Sequence, residues 1–287
     1  MLLLECLIFT IVIASILGEG CDKNGILIYE DFGCTPHYED GKDCPSKYSC
    51  EGLEQSSTHC YFRGKAYQDS EAVDRTLASP SCNAGCRCRV EGKAIATINF
   101  SKTGFTCAIL DCPEWLGVPV KYRCYRKYSL GKCCSVGQIC YPFDNIEKCV
   151  VDGKEYQEGE KFSIENSCLD CVCQKGFKGK FEEPFCARRK CGDQLRHGEK
   201  IQKHCAPFYA VDSGSTVLCC PSSWVCSDGS ESGKGKAKSE ETCKFGEKTF
   251  KVGEEFEKSD FTDNYGRKFE KVKCECVIPP LMKCTKG

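Results

Sequence analysis

The stretch GKCCSVGQIC (residues 131–140) decides the fold, because it repeats an earlier stretch, GKDCPSKYSC (residues 41–50), with one informative change. Both begin with Gly-Lys, and in both the last two cysteines stand six residues apart. The later stretch has Cys133 where the earlier one has Asp43. The missing thiol raises the question of which cysteine it would have paired with, and the answer defines the repeat units of the chain.

Cysteine dominates the composition: 29 of 287 residues, about 10%, is a level typical of secreted disulfide scaffolds. The first twenty residues, MLLLECLIFTIVIASILGEG, contain an apolar run that is too short to span a bilayer and ends in small residues. We therefore predict a secretory signal peptide over residues 1–20. Its removal takes Cys6 away and leaves 28 cysteines, an even number, in a chain that we expect to be secreted and extracellular.

The charge balance bears on one class of partner, nucleic acids. The full chain has 40 Lys and Arg against 41 Asp and Glu, and loss of Glu5 and Glu19 with the signal leaves 40 against 39. A nearly neutral chain gives no charge-based reason to expect a nucleic-acid partner. Since no second apolar run of spanning length follows the signal, we also expect no membrane span.

Internal repeats divide the middle of the chain into two copies of one module. Three segments open alike, with Lys five positions and an aromatic residue seven positions after a cysteine: CYFRGKAY at Cys60, CVVDGKEY at Cys149 and CKFGEKTF at Cys243. Two full sets of ten cysteines share a C-x-C step, a C-x4-C step and a rear C-C-x5-C step. They are Cys60, Cys82, Cys86, Cys88, Cys107, Cys112, Cys124, Cys133, Cys134 and Cys140, and Cys149, Cys168, Cys171, Cys173, Cys186, Cys191, Cys205, Cys219, Cys220 and Cys226.

Eight cysteines remain outside the two modules, which span residues 60–140 and 149–226. The N-terminal four are Cys21, Cys34, Cys44 and Cys50, with steps of 13, 10 and 6 that match the sixth, seventh, ninth and tenth positions of a module. The C-terminal four match the first, third, fourth and fifth positions: Cys243, Cys274, Cys276 and Cys284. We therefore predict a rear half-module at residues 21–50 and a front half-module at residues 243–287.

This ten-cysteine order, with CLDCVC and CCPSSWVC in the second module, resembles the von Willebrand factor type C (VWC) domain, and the chain is similar to chordin-like secreted proteins built from such domains. The resemblance implies a two-subdomain module, with a small antiparallel sheet in the front half and an irregular rear half held by disulfides. It also implies that the cysteines pair first with fourth, second with eighth, third with fifth, sixth with ninth and seventh with tenth.

The implied pairing accounts for the missing thiol. The rear half-module lacks the eighth cysteine and the front half-module lacks the second, and these two positions are bonded partners in the implied scheme. Each half-module therefore lacks the one thiol that it could not pair. On this basis all 28 cysteines of the mature chain are expected to form disulfide bonds.

The fold class that follows is small and disulfide-rich, mostly β and irregular, with little helix. A module of about 80 residues has a marginal apolar core, so disulfides must supply much of its stability. Each disulfide is expected to contribute about 2–4 kcal/mol to the free energy of unfolding. The β-rich runs AIATINF (residues 94–100) and KFEKVKCECVI (residues 268–278) predict strands. The tract SDGSESGKGKAKSEET (residues 227–242) predicts a flexible linker and a loosely attached C-terminal half-module.

Cysteine chemistry has two alternatives to structural disulfides. C-x-C and C-x2-C pairs can hold zinc or exchange thiols, but nearly every thiol has a partner by the repeat pattern and only four histidines are present. No Ser/His/Asp or Cys/His nucleophile motif, glycine-rich phosphate loop or H-E-x-x-H motif occurs. We expect structural disulfides, no enzymatic activity, no metal and no cofactor.

The resemblance implies a binding protein for an extracellular ligand of the bone morphogenetic protein (BMP) or wider transforming growth factor β (TGF-β) class. The front half of a module and the segment just before it are implied to carry the contact. In the second module the residues expected at this surface are Tyr156, Phe162, Ile164, Phe177 and Phe181. In the first module the corresponding residues are Tyr61, Tyr67 and Ile98.

Other surface features suggest further partners. Residues 174–191 combine six cations with three aromatic residues, Lys175, Lys178, Lys180, Arg188, Arg189, Lys190, Phe177, Phe181 and Phe185, and such a stretch can bind heparan sulfate. The alternative that we favour is a solvated hairpin whose aromatic residues fill the front-half core. Asn99 begins an N-glycosylation sequon. Trp115 and Trp224 are candidates either for partner contact or for burial against disulfides.

Two rival functional classes share this cysteine density. One is a cysteine-rich protease inhibitor or venom-type protein, and the other is a structural component of the extracellular matrix. The half-modules at the two ends also suggest head-to-tail self-association between chains, since together they would mimic a whole module without its linking disulfide.

Overall fold

The computed structural model describes residues 21–54, 56–92, 94–95, 98–99, 102–212 and 218–287, so the signal-peptide prediction lies outside the described residues. Six segments are named here by their cysteines. They are the N-terminal half-module (21–50), the front half (60–107) and rear half (112–140) of module 1, the front half (149–186) and rear half (191–226) of module 2, and the C-terminal half-module (243–287).

Fourteen disulfide bonds pair the 28 cysteines of the described chain, in the order that the VWC resemblance implies. Module 1 has Cys60–Cys88, Cys82–Cys133, Cys86–Cys107, Cys112–Cys134 and Cys124–Cys140. Module 2 has Cys149–Cys173, Cys168–Cys219, Cys171–Cys186, Cys191–Cys220 and Cys205–Cys226. The half-modules have Cys21–Cys44, Cys34–Cys50, Cys243–Cys276 and Cys274–Cys284.

The N-terminal half-module consists of a helix and a hairpin: α1 (Lys23–Phe32), β1 (Thr35–Tyr38) and β2 (Pro45–Ser49). The Asp22 side chain caps α1 by accepting a hydrogen bond from the Gly25 N–H at 3.3 Å. Gly33 ends the helix with φ 73°, and a Cβ at this position would lie 2.8 Å from the backbone of Arg63. The cap and this glycine fix where α1 begins and ends.

The front half of module 1 contains three two-stranded sheets and one short helix. Its elements are β3 (His59–Phe62), β4 (Lys65–Gln68), α2 (Arg75–Ala78), a 3-10 turn (Ser79–Ser81), β5 (Asn83–Arg89), β6 (Ala94–Ile95), β7 (Ile98–Asn99) and β8 (Gly104–Ile109). Strand β3 pairs with β4, β5 with β8 and β6 with β7, all antiparallel. Within the run predicted to be a strand over residues 94–100, the described residues form two short strands that pair antiparallel.

The rear half of module 1 and the front half of module 2 contain only strands and turns among their described elements. They are β9 (Cys124–Lys127), β10 (Gly137–Cys140), β11 (Lys148–Val151), β12 (Lys154–Gln157), β13 (Lys161–Phe162), β14 (Leu169–Val172) and β15 (Cys186–Arg188). The two halves are joined by hydrogen bonds from the Tyr128 N–H to the Gly159 carbonyl and from the Tyr125 hydroxyl to the Glu158 carbonyl, both at 2.8 Å.

The rear half of module 2 continues into the C-terminal half-module through one sheet. The elements are α3 (Asp193–Gln202), β16 (Ala206–Asp212), β17 (Ser223–Val225), β18 (Thr242–Phe245), β19 (Lys248–Lys251), β20 (Glu255–Thr262), β21 (Lys268–Glu275) and β22 (Lys283–Lys286). Five strands pair in the order β17-β16-β22-β21-β20, and β16 runs parallel to β22. Phe208, Phe245, Phe250, Phe256 and Met282 fill the core beneath this sheet.

The segment predicted to be a flexible linker lies against the C-terminal half-module. Lys234 forms an isolated β-bridge with Glu255, and the Lys238 N–H donates to the Val252 carbonyl at 2.8 Å. Glu231 is buried and accepts a hydrogen bond from the Ser227 hydroxyl at 2.7 Å. The amino-acid composition of this tract does not reveal these contacts. The polar residues that are typical of a flexible linker form hydrogen bonds here instead.

The half-modules at the two ends of the chain lie against each other within one molecule. The Tyr29 hydroxyl donates to the Ile278 carbonyl at 2.7 Å and accepts from the Leu281 N–H at 2.8 Å. The Tyr48 N–H donates to the Pro279 carbonyl at 3.0 Å. The head-to-tail contact suggested between chains is thus made inside one chain, which covers the faces that such self-association would use.

The predicted fold class is confirmed. Strands and irregular segments dominate the described chain, whose three α-helices have 10, 4 and 10 residues. Four separate buried clusters contain cysteines together with aromatic and aliphatic residues. Disulfides are therefore built into each small core, as expected for modules too small to bury a large apolar interior.

Candidate functional site

The five residues predicted to contact a partner in module 2 come together in its front half. Ring centroids lie 5.2 Å apart for Tyr156 and Phe162, 5.6 Å for Phe162 and Phe177, and 6.0 Å for Phe177 and Phe181. Phe162 is buried, Tyr156, Ile164 and Phe177 are half-buried, and Phe181 is exposed. The set forms a small aromatic core that opens to solvent at one edge.

The corresponding residues of module 1 are less accessible. Tyr67 is buried, and Tyr61 is half-buried, with its hydroxyl 2.7 Å from the His59 ring nitrogen. Ile98 and Asn99 belong to β7, but their side chains lie outside the described part of the chain. The glycosylation prediction at Asn99 therefore stays a prediction.

The basic segment of module 2 divides into two groups of cations. Lys175, Lys178 and Lys180 are exposed, whereas Arg188 forms an ion pair with Glu30 at 2.9 Å and Arg189 one with Asp170 at 2.6 Å. Lys190 is half-buried, and burial lowers the pKa of its ammonium group. Phe177 and Phe185 pack into the front-half core, so the geometry fits the solvated hairpin better than a continuous basic site.

The two tryptophans occupy opposite environments. Trp224 is buried and its indole N–H donates to the Asp193 carboxylate at 3.3 Å. Trp115 is 59% exposed, in a segment that begins after Cys112. Gly117 and Pro119 follow it closely and disfavour a helix, whereas the matching segments after Cys21 and Cys191 form α1 and α3.

Exposed apolar side chains concentrate in a central segment, defined here as residues 109–190. Of twelve large apolar side chains that are exposed among the described residues, nine lie in it: Ile109, Trp115, Leu116, Val118, Tyr122, Val136, Tyr141, Val150 and Phe181. Sequence reasoning singled out only Trp115 and Phe181. For Leu116 and Val118 the signal that could have been used is the proline and glycine content of CPEWLGVP (residues 112–119), which disfavours a helix that would bury one face. The other five exposed side chains lie outside this stretch.

The central segment is also positively charged where its apolar side chains are densest. Between Cys112 and Cys140 the sequence contains five cations and one anion, Glu114. The cations are Lys121, Arg123, Arg126, Lys127 and Lys132. The Arg123 guanidinium lies 3.5 Å from the centroid of the Tyr141 ring, an arrangement that holds an exposed aromatic ring and a charge together on the surface.

Two carboxyl groups are buried where α1 meets the start of α3. Asp31 accepts a hydrogen bond from the Gly192 N–H at 3.0 Å, and Asp193 accepts the one from Trp224. Burial, together with the charge of Asp31, raises the pKa of Asp193 to about 7, and burial also raises the pKa of Asp31. We therefore expect the stability of this interface to depend on pH.

Two groups of potential metal-ligating side chains occur in the described chain, and all of their sulfur atoms belong to disulfide bonds. One is Cys112, Cys133 and Cys134, whose sulfurs belong to two disulfide bonds. The other is Asp31, Cys191 and Asp193, in which Cys191 is bonded to Cys220. Metal binding by thiolates needs deprotonated free cysteines, so neither group offers a thiolate site.

No protein-family model, curated protein or solved structure matches this chain. The resemblance to the VWC domain therefore rests on the order and spacing of the cysteines. No helix in the described ranges is long and apolar enough to cross a membrane.

Proposed function

We propose that this chain is a secreted extracellular protein that binds a growth factor of the BMP or TGF-β class through its central segment. The observation that carries the proposal is the exposure of Tyr141, just before the front half of module 2, and of Phe181 at the edge of its aromatic core. Exposed aromatic side chains with charged neighbours are typical of a protein-binding site. Secretion is supported by the fourteen disulfides, which persist in oxidising compartments.

The front half of module 2 and the residues before it are the proposed contact surface. Tyr141 and Phe143 precede this front half, with ring centroids 5.9 Å apart, and Tyr141 is exposed. Phe181 is exposed at the edge of the aromatic core that includes Phe177. Disulfides hold these side chains in place before binding, which lowers the entropic cost of association.

The test is binding of the oxidised, secreted chain to a panel of BMP and TGF-β dimers by biolayer interferometry. We expect at least one ligand to bind with a Kd below about 1 μM, and Tyr141→Ala or Phe181→Ala to weaken it about tenfold or more. Tyr265→Ala is the matched control, because Tyr265 is 77% exposed but lies in the C-terminal half-module. Absence of binding across the panel, or an equal loss in the control, would contradict the proposal.

A further inference from the structure

The two long helices of the fold, α1 and α3, each begin just after a sixth cysteine and pack on a front half elsewhere in the sequence. Helix α1 lies on the C-terminal half-module, where Tyr29 accepts the Leu281 N–H. Helix α3 lies on the front half of module 1, where Gln194 accepts a hydrogen bond from the Arg63 N–H at 2.8 Å. Leu195 of α3 joins the buried cluster of that front half.

The receiving position is the same in both contacts. Leu281 stands three residues before Cys284, the fifth cysteine of its front half, and it is buried. Gly104 and Phe105 stand three and two residues before Cys107 and line a narrow cavity with Gln194 and Ile201 of α3. The segment before the fifth cysteine thus accepts the segment after a sixth cysteine, twice in one chain.

The remaining rear half and front half leave these faces open. In the rear half of module 1 the segment after Cys112 exposes Trp115, Leu116 and Val118, with Leu116 exposed to 66%. In the front half of module 2 the positions three and two before Cys186 are Glu183 and Pro184, and both are exposed. Val150, the counterpart of Tyr61 beside α3, is 63% exposed.

The two halves that carry these open faces have opposite net charge. The rear half of module 1 carries five cations against one anion between Cys112 and Cys140, a formal charge of +4. The front half of module 2 has eight anions against five cations between Cys149 and Cys186, a formal charge of −3. Glu182 and Glu183 are exposed beside Pro184, and Glu182 lies 3.8 Å from the Lys180 ammonium. Complementary charge around apolar residues favours a specific contact over a random one.

We propose that a second copy of this chain covers both faces at once. The basic rear half of module 1 in each chain would lie on the acidic front half of module 2 in the other. Because the described part of each chain has one open face of each kind, two chains can satisfy both in a closed two-fold dimer. This inference goes beyond the proposed growth-factor binding, since the dimer forms from the chain alone and uses Leu116 and Val150 rather than Tyr141 and Phe181.

The test is sedimentation equilibrium of the full oxidised chain at several concentrations, with two surface variants. Leu116→Asp alters only the rear face, and the double variant Val150→Asp, Glu183→Lys alters only the front face. We expect a dimer mass for the unmodified chain and a monomer mass for each variant alone, because each homodimer would contain two damaged contacts. An equimolar mixture of the two variants retains one intact contact, and we expect it to recover a heterodimer.

The control variant is Tyr265→Asp, which changes an exposed aromatic residue outside both faces and is expected to stay dimeric. Non-reducing peptide mapping establishes that every variant keeps the native disulfides. A monomeric unmodified chain, an open series of higher oligomers, or a variant mixture that stays monomeric would overturn the proposal. Failure of the growth-factor panel would leave these masses unchanged, so the two proposals fail separately.

Discussion

Asp43 occupies the position of the eighth cysteine in a half-module that has no second cysteine to pair with it. Its side chain is exposed, and the neighbouring Cys44 is bonded to Cys21. The other described cysteines are likewise in disulfides, so a thiol at this position would have no native partner. A solvent-exposed free thiol in an oxidising compartment pairs wrongly with other chains or exchanges with nearby disulfides.

Replacement Asp43→Cys is therefore expected to yield scrambled or disulfide-linked dimeric protein, visible on a non-reducing gel and in peptide mapping. Asp43→Ser is the control, because it removes the carboxylate without adding a thiol, and it should be secreted like the unmodified chain. Clean monomeric secretion of the cysteine variant with native bonds would show that the half-module interpretation is wrong.

The buried Asp193 links protonation to the stability of the α1–α3 interface. Its carboxyl has a pKa of about 7 in the folded chain, above the ordinary value of 3.8. Below about pH 4 it is protonated in both states, and between about pH 4 and 7 only the unfolded chain releases the proton. The stabilising contribution is therefore full at low pH and falls by about 1.4 kcal/mol per pH unit towards pH 7.

The variant Asp193→Asn should remove this pH dependence while keeping an oxygen that accepts the Trp224 N–H. We expect the denaturant midpoint of the unmodified chain, with disulfides intact, to be higher at pH 5 than at pH 8. In the variant the difference between the two midpoints should shrink, since a neutral amide no longer faces Asp31. Equal pH dependence in the two chains would assign the effect to other groups.

At the scale of the element, α1 is held to the other end of the chain by a buried hydroxyl. Tyr29 is 2% exposed, and its hydroxyl donates one hydrogen bond and accepts another across the contact. Burial raises the pKa of this hydroxyl far above its ordinary value, so it stays protonated at physiological pH.

Replacement Tyr29→Phe should destabilise the docking of α1 by about 1–3 kcal/mol, because it leaves the Ile278 carbonyl and the Leu281 N–H buried without a partner. Hydrogen exchange should become faster for the amides of α1 and for Leu281, while strands β11–β15 of the front half of module 2 keep their protection. Unchanged exchange in α1 would mean that Tyr29 does not hold the contact.

Several elements were predictable from the sequence for clear physical reasons. Strand β21 (Lys268–Glu275) lies within the β-rich run at residues 268–278, and the disulfides pair in the order that the VWC resemblance implies. Helix α1 was not predicted, because Gly25 and β-branched residues lower its intrinsic helix propensity, whereas capping by Asp22 and burial against the C-terminal half-module stabilise it. Helices of this kind depend on contacts with distant segments of the chain, and the local sequence does not reveal those contacts.

The candidate site was only partly predictable. The aromatic residues of module 2 do meet, but as a small core rather than an open surface. Leu116 and Val118, which are also exposed after Cys112, were missed, because the local sequence does not show which rear half is covered by a front half. Whether Trp115 or Trp224 is exposed depends on which rear half has a front half to cover it.

On the scale of the whole molecule, the N-terminal half-module and the C-terminal half-module contact each other. The Lys283 ammonium lies 2.8 Å from the Asp22 carboxylate, and Lys47 lies 2.6 Å from Glu241. The chain thus contains three rear and three front halves, of which the terminal pair joins without a disulfide. The lost second-to-eighth bond is replaced by buried apolar contacts and the Tyr29 hydrogen bonds.

The most direct test of this closure is zero-length carbodiimide cross-linking of Lys47 to Glu241 in an equimolar mixture of ¹⁴N- and ¹⁵N-labelled chains. We expect the cross-linked peptide pair to carry one label only, all ¹⁴N or all ¹⁵N, because both ends belong to one molecule. Peptide pairs of mixed label, or no cross-link between these segments in a natively bonded chain, would contradict the account.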